Sequence, residues 1–110
     1  MKARNQERYQ LQARILKALA HPARLRMVDE LAAGERCVCE LTEMIGCDIS
    51  TISKHLSLLR SSGLIESEKR GTSVYYRLRC PCITQLLGCV EATMQEDVRK
   101  RLKVIKCRAR

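Results

Sequence analysis

Gly46-Cys47-Asp48 constrains this chain more than any other three residues. Before it, residues 37–45 set Val38, Leu41 and Ile45 three and four apart. After it, Ile49, Ile52, Leu56 and Leu59 repeat at similar spacing as far as Gly63. Both patterns are those of one face of a helix. Gly46 suits the left-handed residue that stops a helix, and Asp48 suits the cap that starts the next. Two short helices joined by so tight a turn make a helix-turn-helix. Beyond Gly63 the period drops to two. Residues 64–68 and 73–78 read as strands around Lys69-Arg70-Gly71-Thr72, with Val74, Tyr76 and Leu78 on one face. A hairpin directly after the second helix is a wing. The expected fold class is mainly α with a small β-hairpin (α+β), a winged helix-turn-helix. Residues 37–63 form the helix-turn-helix and 64–79 the wing.

The flanks are helical. Leu11, Ile15 and Leu19 mark a first helix over 4–20. His21-Pro22 opens a second, since proline fits a first helical turn. This helix runs to Ala33 with Leu25, Val28 and Leu31 inward, and Gly34 ends it. After Pro81 a last helix spans about 82–106, striped by Ile83, Leu87, Val90, Met94, Val98, Leu102 and Ile105. At 110 residues the chain is a single domain, 1–110, too small to cover so long a stripe alone. The simplest cover is a second copy, giving a two-fold homodimer through 1–20 and 82–107.

Charge points to the partner. The chain carries 21 Lys and Arg against 12 Asp and Glu, a net +9. The excess is segmental: residues 29–48 are acidic, whereas 1–17, 50–79 and the last twelve residues are basic. Segmental positive charge suits a surface laid along a phosphate backbone. The second helix of the pair opens with Ser50, Thr51, Ser53 and Lys54, small and basic side chains that let a helix sit deep in the major groove. Ser57 joins that face, Arg60 suits a phosphate, and Lys69 and Arg70 at the wing tip suit the minor groove or backbone. His55 is expected to be a hydrogen-bonded structural residue. The expected partner is double-stranded operator DNA.

Seven cysteines are an odd number, with no apolar leader at the N-terminus and no membrane-spanning run. The expected setting is reducing cytoplasm, with no membrane partner. Clustered thiols there serve metal binding, redox sensing or simple burial. No phosphate loop, Cys-x-x-Cys or glycine-rich cofactor turn is present, so an enzyme is not expected.

Five stretches in order carry a family resemblance: Leu19-Ala-His-Pro-Ala-Arg-Leu-Arg26, Cys37-Val-Cys-Glu-Leu41, Ser50-Thr-Ile-Ser-Lys-His-Leu56, Gly63-Leu-Ile65 and Arg70-Gly-Thr-Ser-Val-Tyr-Tyr-Arg77. Together they resemble the ArsR/SmtB family of winged helix-turn-helix repressors, over roughly residues 14–90. The resemblance implies a homodimer that holds an operator and releases it when a soft metal ion or metalloid binds. It implies no permanent cofactor.

Cys37-Val38-Cys39 is similar to the local pattern of the arsenite- and cadmium-sensing branches. Thiolates are soft ligands that suit As(III), Cd(II), Pb(II), Cu(I) and Zn(II). Two cysteines two apart do not face each other on a regular helix, so chelation needs an unwound first turn. Binding there would pull on the helix that buttresses the recognition helix. The arsenic pattern commonly adds a third cysteine where this chain has Thr42, and the N-terminal arm supplies no cysteine for a cadmium site. A second cluster, Cys80-Pro81-Cys82 with Cys89 two helical turns on, offers either a trio of thiolates or an interface lining. A third arrangement joins Cys37 and Cys39 to Cys80 or Cys82, across the dimer if need be. Cys47 reads as a small buried hydrophobe and Cys107 as a bystander. The last helix has Glu91, Glu96 and Asp97 but no histidine, which argues against a zinc-type nitrogen and oxygen site. A thiol redox or persulfide switch in the same fold is the alternative to metalloid sensing.

Overall fold

The computed structural model describes residues 3–108, and the side chains of residues 5–104. Five helices and three strands follow in the order α1 (Ala3–Leu19), α2 (Pro22–Ala33), β1 (Arg36–Cys37), α3 (Val38–Ile45), α4 (Ile49–Ser61), β2 (Ile65–Arg70), β3 (Ser73–Leu78) and α5 (Ile83–Arg108). The side chains of Ile105 and Cys107, assigned above to the apolar stripe and to a bystander role, lie outside the described residues.

Local chemistry sets the helix ends. His21 is extended before α2, and its Nδ1 accepts the Ala23 N–H at 3.1 Å, with Pro22 in the first turn. Gly46 closes α3 at φ 82°, its N–H donating to the Thr42 carbonyl. That left-handed conformation is where glycine has no Cβ penalty. Two residues later Asp48, extended, opens α4. The helix-turn-helix is therefore built at the residues from which it was read.

The core lies where α2, α3, α4 and the sheet meet. Met27, Val28, Leu41, Ile52, Leu56, Leu59 and Ile65 are fully buried, and Leu19, Leu31 and Leu64 nearly so. Val38, Ile45, Cys47, Tyr76, Leu78, Ile83 and Leu87 pack around them. Cys47, expected to be buried, is only half-buried and packs against the edge of this core. Two inward assignments fail. Leu25 is half-exposed, because α2 turns Met27, Val28 and Leu31 inward and leaves Leu25 at an edge beside Thr84, Leu87 and Met94 of α5. Ile49 is 56% exposed, because it is the first residue of α4 and projects beyond the core that begins beneath Ile52.

The sheet has three strands rather than two, antiparallel in the order β1-β3-β2. The extra strand is short: Arg36 pairs with Tyr76 and Cys37 with Tyr75. Cys37 therefore precedes α3 instead of opening it. Lys69 and Arg70 complete β2, opposite Val74 and Ser73, so the turn is only Gly71-Thr72. Gly71 has φ 64° while Thr72 is not left-handed, the pattern of a II′ hairpin turn, whose twist matches that of the strands.

α1 and α5 extend past this core. The chain measures 64 × 45 × 22 Å, with a radius of gyration of 17.9 Å. A compact domain of this length has about 13 Å. Tyr9, Leu11, Ile15 and Leu16 of α1 and Val90, Met94, Val98 and Leu102 of α5 are exposed.

Candidate nucleic-acid interface and thiol sites

Ile52, Leu56 and Leu59 anchor α4, which turns Ser50, Ser53, Lys54, Ser57 and Arg60 outward and leaves Thr51 half-buried. The first-turn hydroxyls are not free rotors. Ser50 Oγ donates to Asp48 Oδ2 at 2.9 Å, and Thr51 Oγ1 donates to Asp48 Oδ1. The two bonds, Thr51's first, hold the Asp48 carboxyl below the usual range. Ser53, Lys54, Ser57 and Leu58 line one shallow open surface. Arg60, at the far end, donates to Ser67 Oγ at 3.0 Å and so ties α4 to the wing.

His55 is the structural residue expected of it. Its Nδ1 lies 3.2 Å from Arg24 Nη1, and its ring centroid is 4.5 Å from that of His21. Burial, then the neighbouring His21 and Arg24, hold its pKa below the ordinary value. Arg24 also donates through Nε to the Ala18 carbonyl at 2.6 Å, closing the end of α1. One arginine near the start of α2 thus joins the end of α1 to the middle of α4, a connection that sequence spacing does not reveal.

On the wing, Lys69 is exposed. Arg70 is held by carboxylates: it pairs with Glu35, ahead of β1, and with Glu68 at 3.0 Å, and its guanidinium lies 4.9 Å from the Tyr75 ring centre. Arg77 pairs with Glu66 at 2.7 Å and Glu68 at 3.2 Å across the strands. Arg70 and Arg77 together keep Glu68 charged below the usual carboxylate range. To grip a phosphate, Arg70 must exchange these partners, a condition invisible in its sequence position.

Cys37 stands at a junction. It is extended (φ −85°, ψ 163°), paired with Tyr75 on the wing side, and is the N-cap of α3. Its N–H donates to Glu40 Oε1 at 3.2 Å while its side chain faces the Glu40 backbone N–H, the two halves of a capping box. The Cys37 thiol, then its backbone N–H, hold the Glu40 carboxyl below its ordinary range. Cys37 is half-buried and Cys39, in the first turn, is exposed. Cys37 is thus extended ahead of the helix, whereas Cys39 lies within the regular first turn of α3.

Cys80, Cys82 and Cys89 are all exposed, and α5 begins at Ile83, after Cys82. Cys82 stands in the turn that leads into α5, its carbonyl accepting the Gln85 N–H at 3.1 Å, while Cys89 lies within the helix. Among the described residues no three His, Cys, Asp or Glu side chains converge within one protomer as a metal site. β3 runs on from Tyr75, opposite Cys37, for about 10 Å to Leu78, and Cys80 lies beyond it. The two cysteine clusters are separated within a chain.

A family model described as "Bacterial regulatory protein, arsR family" matches residues 21–67. The chain is 39% identical over 87 residues to the arsenic resistance transcriptional regulator ArsR1 of Pseudomonas putida, covering 74% of this chain and 67% of that one. The chain belongs to the ArsR family. It is also 38% identical over 86 residues to the HTH-type transcriptional regulator Rv0324 of Mycobacterium tuberculosis, covering 78% of this chain but only 38% of that longer protein. The solution structure of the homodimeric winged helix-turn-helix domain Mb0332 of Mycobacterium bovis superposes with a TM-score of 0.79 at 33% identity, covering 91% of this chain and 93% of that one. The crystal structure of the transcriptional repressor BigR from Xylella fastidiosa gives 0.70 at 35% identity, covering 84% and 96%. These ArsR-family relatives are transcriptional regulators, not enzymes. Among the described residues of this ArsR-family chain, no helix is long and apolar enough to cross a membrane.

Proposed function

We propose that this ArsR-family chain is a homodimeric cytoplasmic repressor that leaves its operator when a soft metalloid or metal ion, As(III) foremost, binds its cysteine thiolates. The observation that carries the reading is the position of Cys37. It caps α3, which packs against α4, and it pairs with β3 of the wing. A ligand at this one residue acts on both DNA-facing elements.

The residues supply the coupling. Ligation takes the thiol proton of Cys37 and turns its sulfur toward the ion. The sulfur then ceases to accept from the Glu40 N–H, and the capping box opens. α3 loses its first turn of support, and α4, which shares one buried core with Leu41 of α3, loses its fixed angle to the DNA. Cys39 is the second ligand. Cys80 or Cys82 supplies the third thiolate, from the second copy if need be, or Cys80, Cys82 and Cys89 form a separate site beside the dimer helices. Dimerisation itself is supported by the extended α1 and α5 with their exposed apolar stripes, and by the homodimeric relative.

The test is fluorescence anisotropy of the chain on DNA from upstream of its own gene, at fixed salt with a non-thiol reductant. Arsenite, cadmium, lead and zinc are titrated separately. Release by low micromolar arsenite but not zinc is expected, with Cys37→Ser blind to arsenite. If no ion releases the DNA, metalloid sensing is wrong. Release by an oxidant or persulfide donor, reversed by reductant, would then assign the same thiols to a redox switch.

A further inference from the structure

The exposed large apolar side chains have a simple distribution. Those on α1, α2 and α5 belong to the helices that the proposed dimer would cover, and Leu58 of α4 lies between the groove beside Ala18 of α1 and the surface of Ser53, Lys54 and Ser57. Among the described residues Ile49 is set apart from both groups. It is 56% exposed on the first turn of α4, between Asp48 and Ser50. In a helix-turn-helix the N-terminal residues of the second helix meet the base edges. An exposed β-branched side chain gains nothing there from water, and β-branching lowers helix propensity.

We propose that Ile49 is a specificity-determining residue that packs against the 5-methyl group of a thymine in the major groove. The inference rests on the operator-binding reading of the chain. Thymine is the one base that presents a methyl group in that groove, so an apolar side chain at a base edge discriminates for it. The neighbouring hydroxyls fit the same base step. Ser50, exposed on the same turn, has its proton committed to Asp48 as Thr51 does, so toward a base these hydroxyls act as acceptors. Such acceptors pair with the amino group of adenine or cytosine and find nothing to bond on guanine O6 or N7. The first turn therefore combines a methyl-binding surface at Ile49 with amino-binding acceptors beside it.

Deoxyuridine isolates the contact, because it removes only the methyl group. Each thymine of the operator half-site is replaced in turn, and binding of the full-length chain is measured by anisotropy at fixed salt. The wild-type chain is expected to lose about fourfold at one thymine position per half-site, the value for one buried methyl-sized group. Ile49→Ala is expected to bind the unmodified operator more weakly and to be indifferent to deoxyuridine at that position. Ile49→Val, which keeps the β-branch and loses one methylene, retains most of the sensitivity. Because Ile49 is outside the core, both variants keep the wild-type circular dichroism spectrum and melting temperature. The proposal is overturned if Ile49→Ala keeps the wild-type pattern of deoxyuridine sensitivity, or if no thymine position is sensitive. A wild-type chain that holds operator and scrambled duplex equally overturns the operator reading, and the proposal with it.

Discussion

Replacing Arg24 by alanine is expected to destabilise the chain more than an ordinary surface substitution. The side chain makes one short bond to the Ala18 carbonyl at 2.6 Å, one contact to His55 Nδ1 at 3.2 Å, and a longer one to the Lys17 carbonyl at 3.4 Å. A hydrogen bond from a charged donor contributes about 1.5–3 kcal/mol. The freed carbonyls sit at a helix end that water reaches, so the three bonds together fall short of their sum. The expected loss is about 2 kcal/mol, roughly thirtyfold in the folding equilibrium. Urea unfolding followed by circular dichroism measures it, at several protein concentrations because a dimer's stability varies with concentration. A double-mutant cycle with His55→Ala isolates the contact between α2 and α4, for which about 1 kcal/mol of coupling is expected. A loss below about 0.5 kcal/mol, the scatter of surface substitutions, would refute the assignment of Arg24 as the junction of three helices.

The same junction predicts a pH effect. Burial and the neighbouring His21 and Arg24 depress the folded-state pKa of His55, so the unfolded chain takes up that proton first as pH falls below about 6.5. Stability is therefore fully present above that pH and is lost as pH falls through the folded-state value. His55→Asn should flatten the fall in urea midpoint between about pH 7.5 and 5.5, above the range where Glu40, Asp48 and Glu68 titrate. On the wing, Glu35→Gln removes one carboxylate from Arg70. Operator binding should tighten and its salt dependence steepen, and unchanged binding at every salt concentration would show that Arg70 does not reach the phosphates.

Much of the architecture was legible because it rests on local chemistry. Gly46 and Asp48 punctuate the helix-turn-helix by backbone preference alone, and His21-Pro22 opens α2 in the same way. β1 was not legible. Two residues, Arg36 and Cys37, have no period to detect, and their strand exists because Tyr75 and Tyr76 lie alongside. Arg70 has the composition of a phosphate contact, but its ion pairs join it to Glu35, far off in sequence.

Ile49 and Cys37 divide most clearly between the two levels. By itself the sequence determined the order of the helices and wing strands, the turn residues, the basic recognition helix and the two cysteine clusters, since each follows from neighbours a few positions apart. The tertiary structure alone decided that Ile49, in register with the buried Ile52 and Leu56, projects past the end of the core. It alone made Cys37 at once the cap of α3 and a partner of the wing. Helical periodicity says which face a residue occupies but not where the opposing layer ends, and that boundary is set by residues distant along the chain.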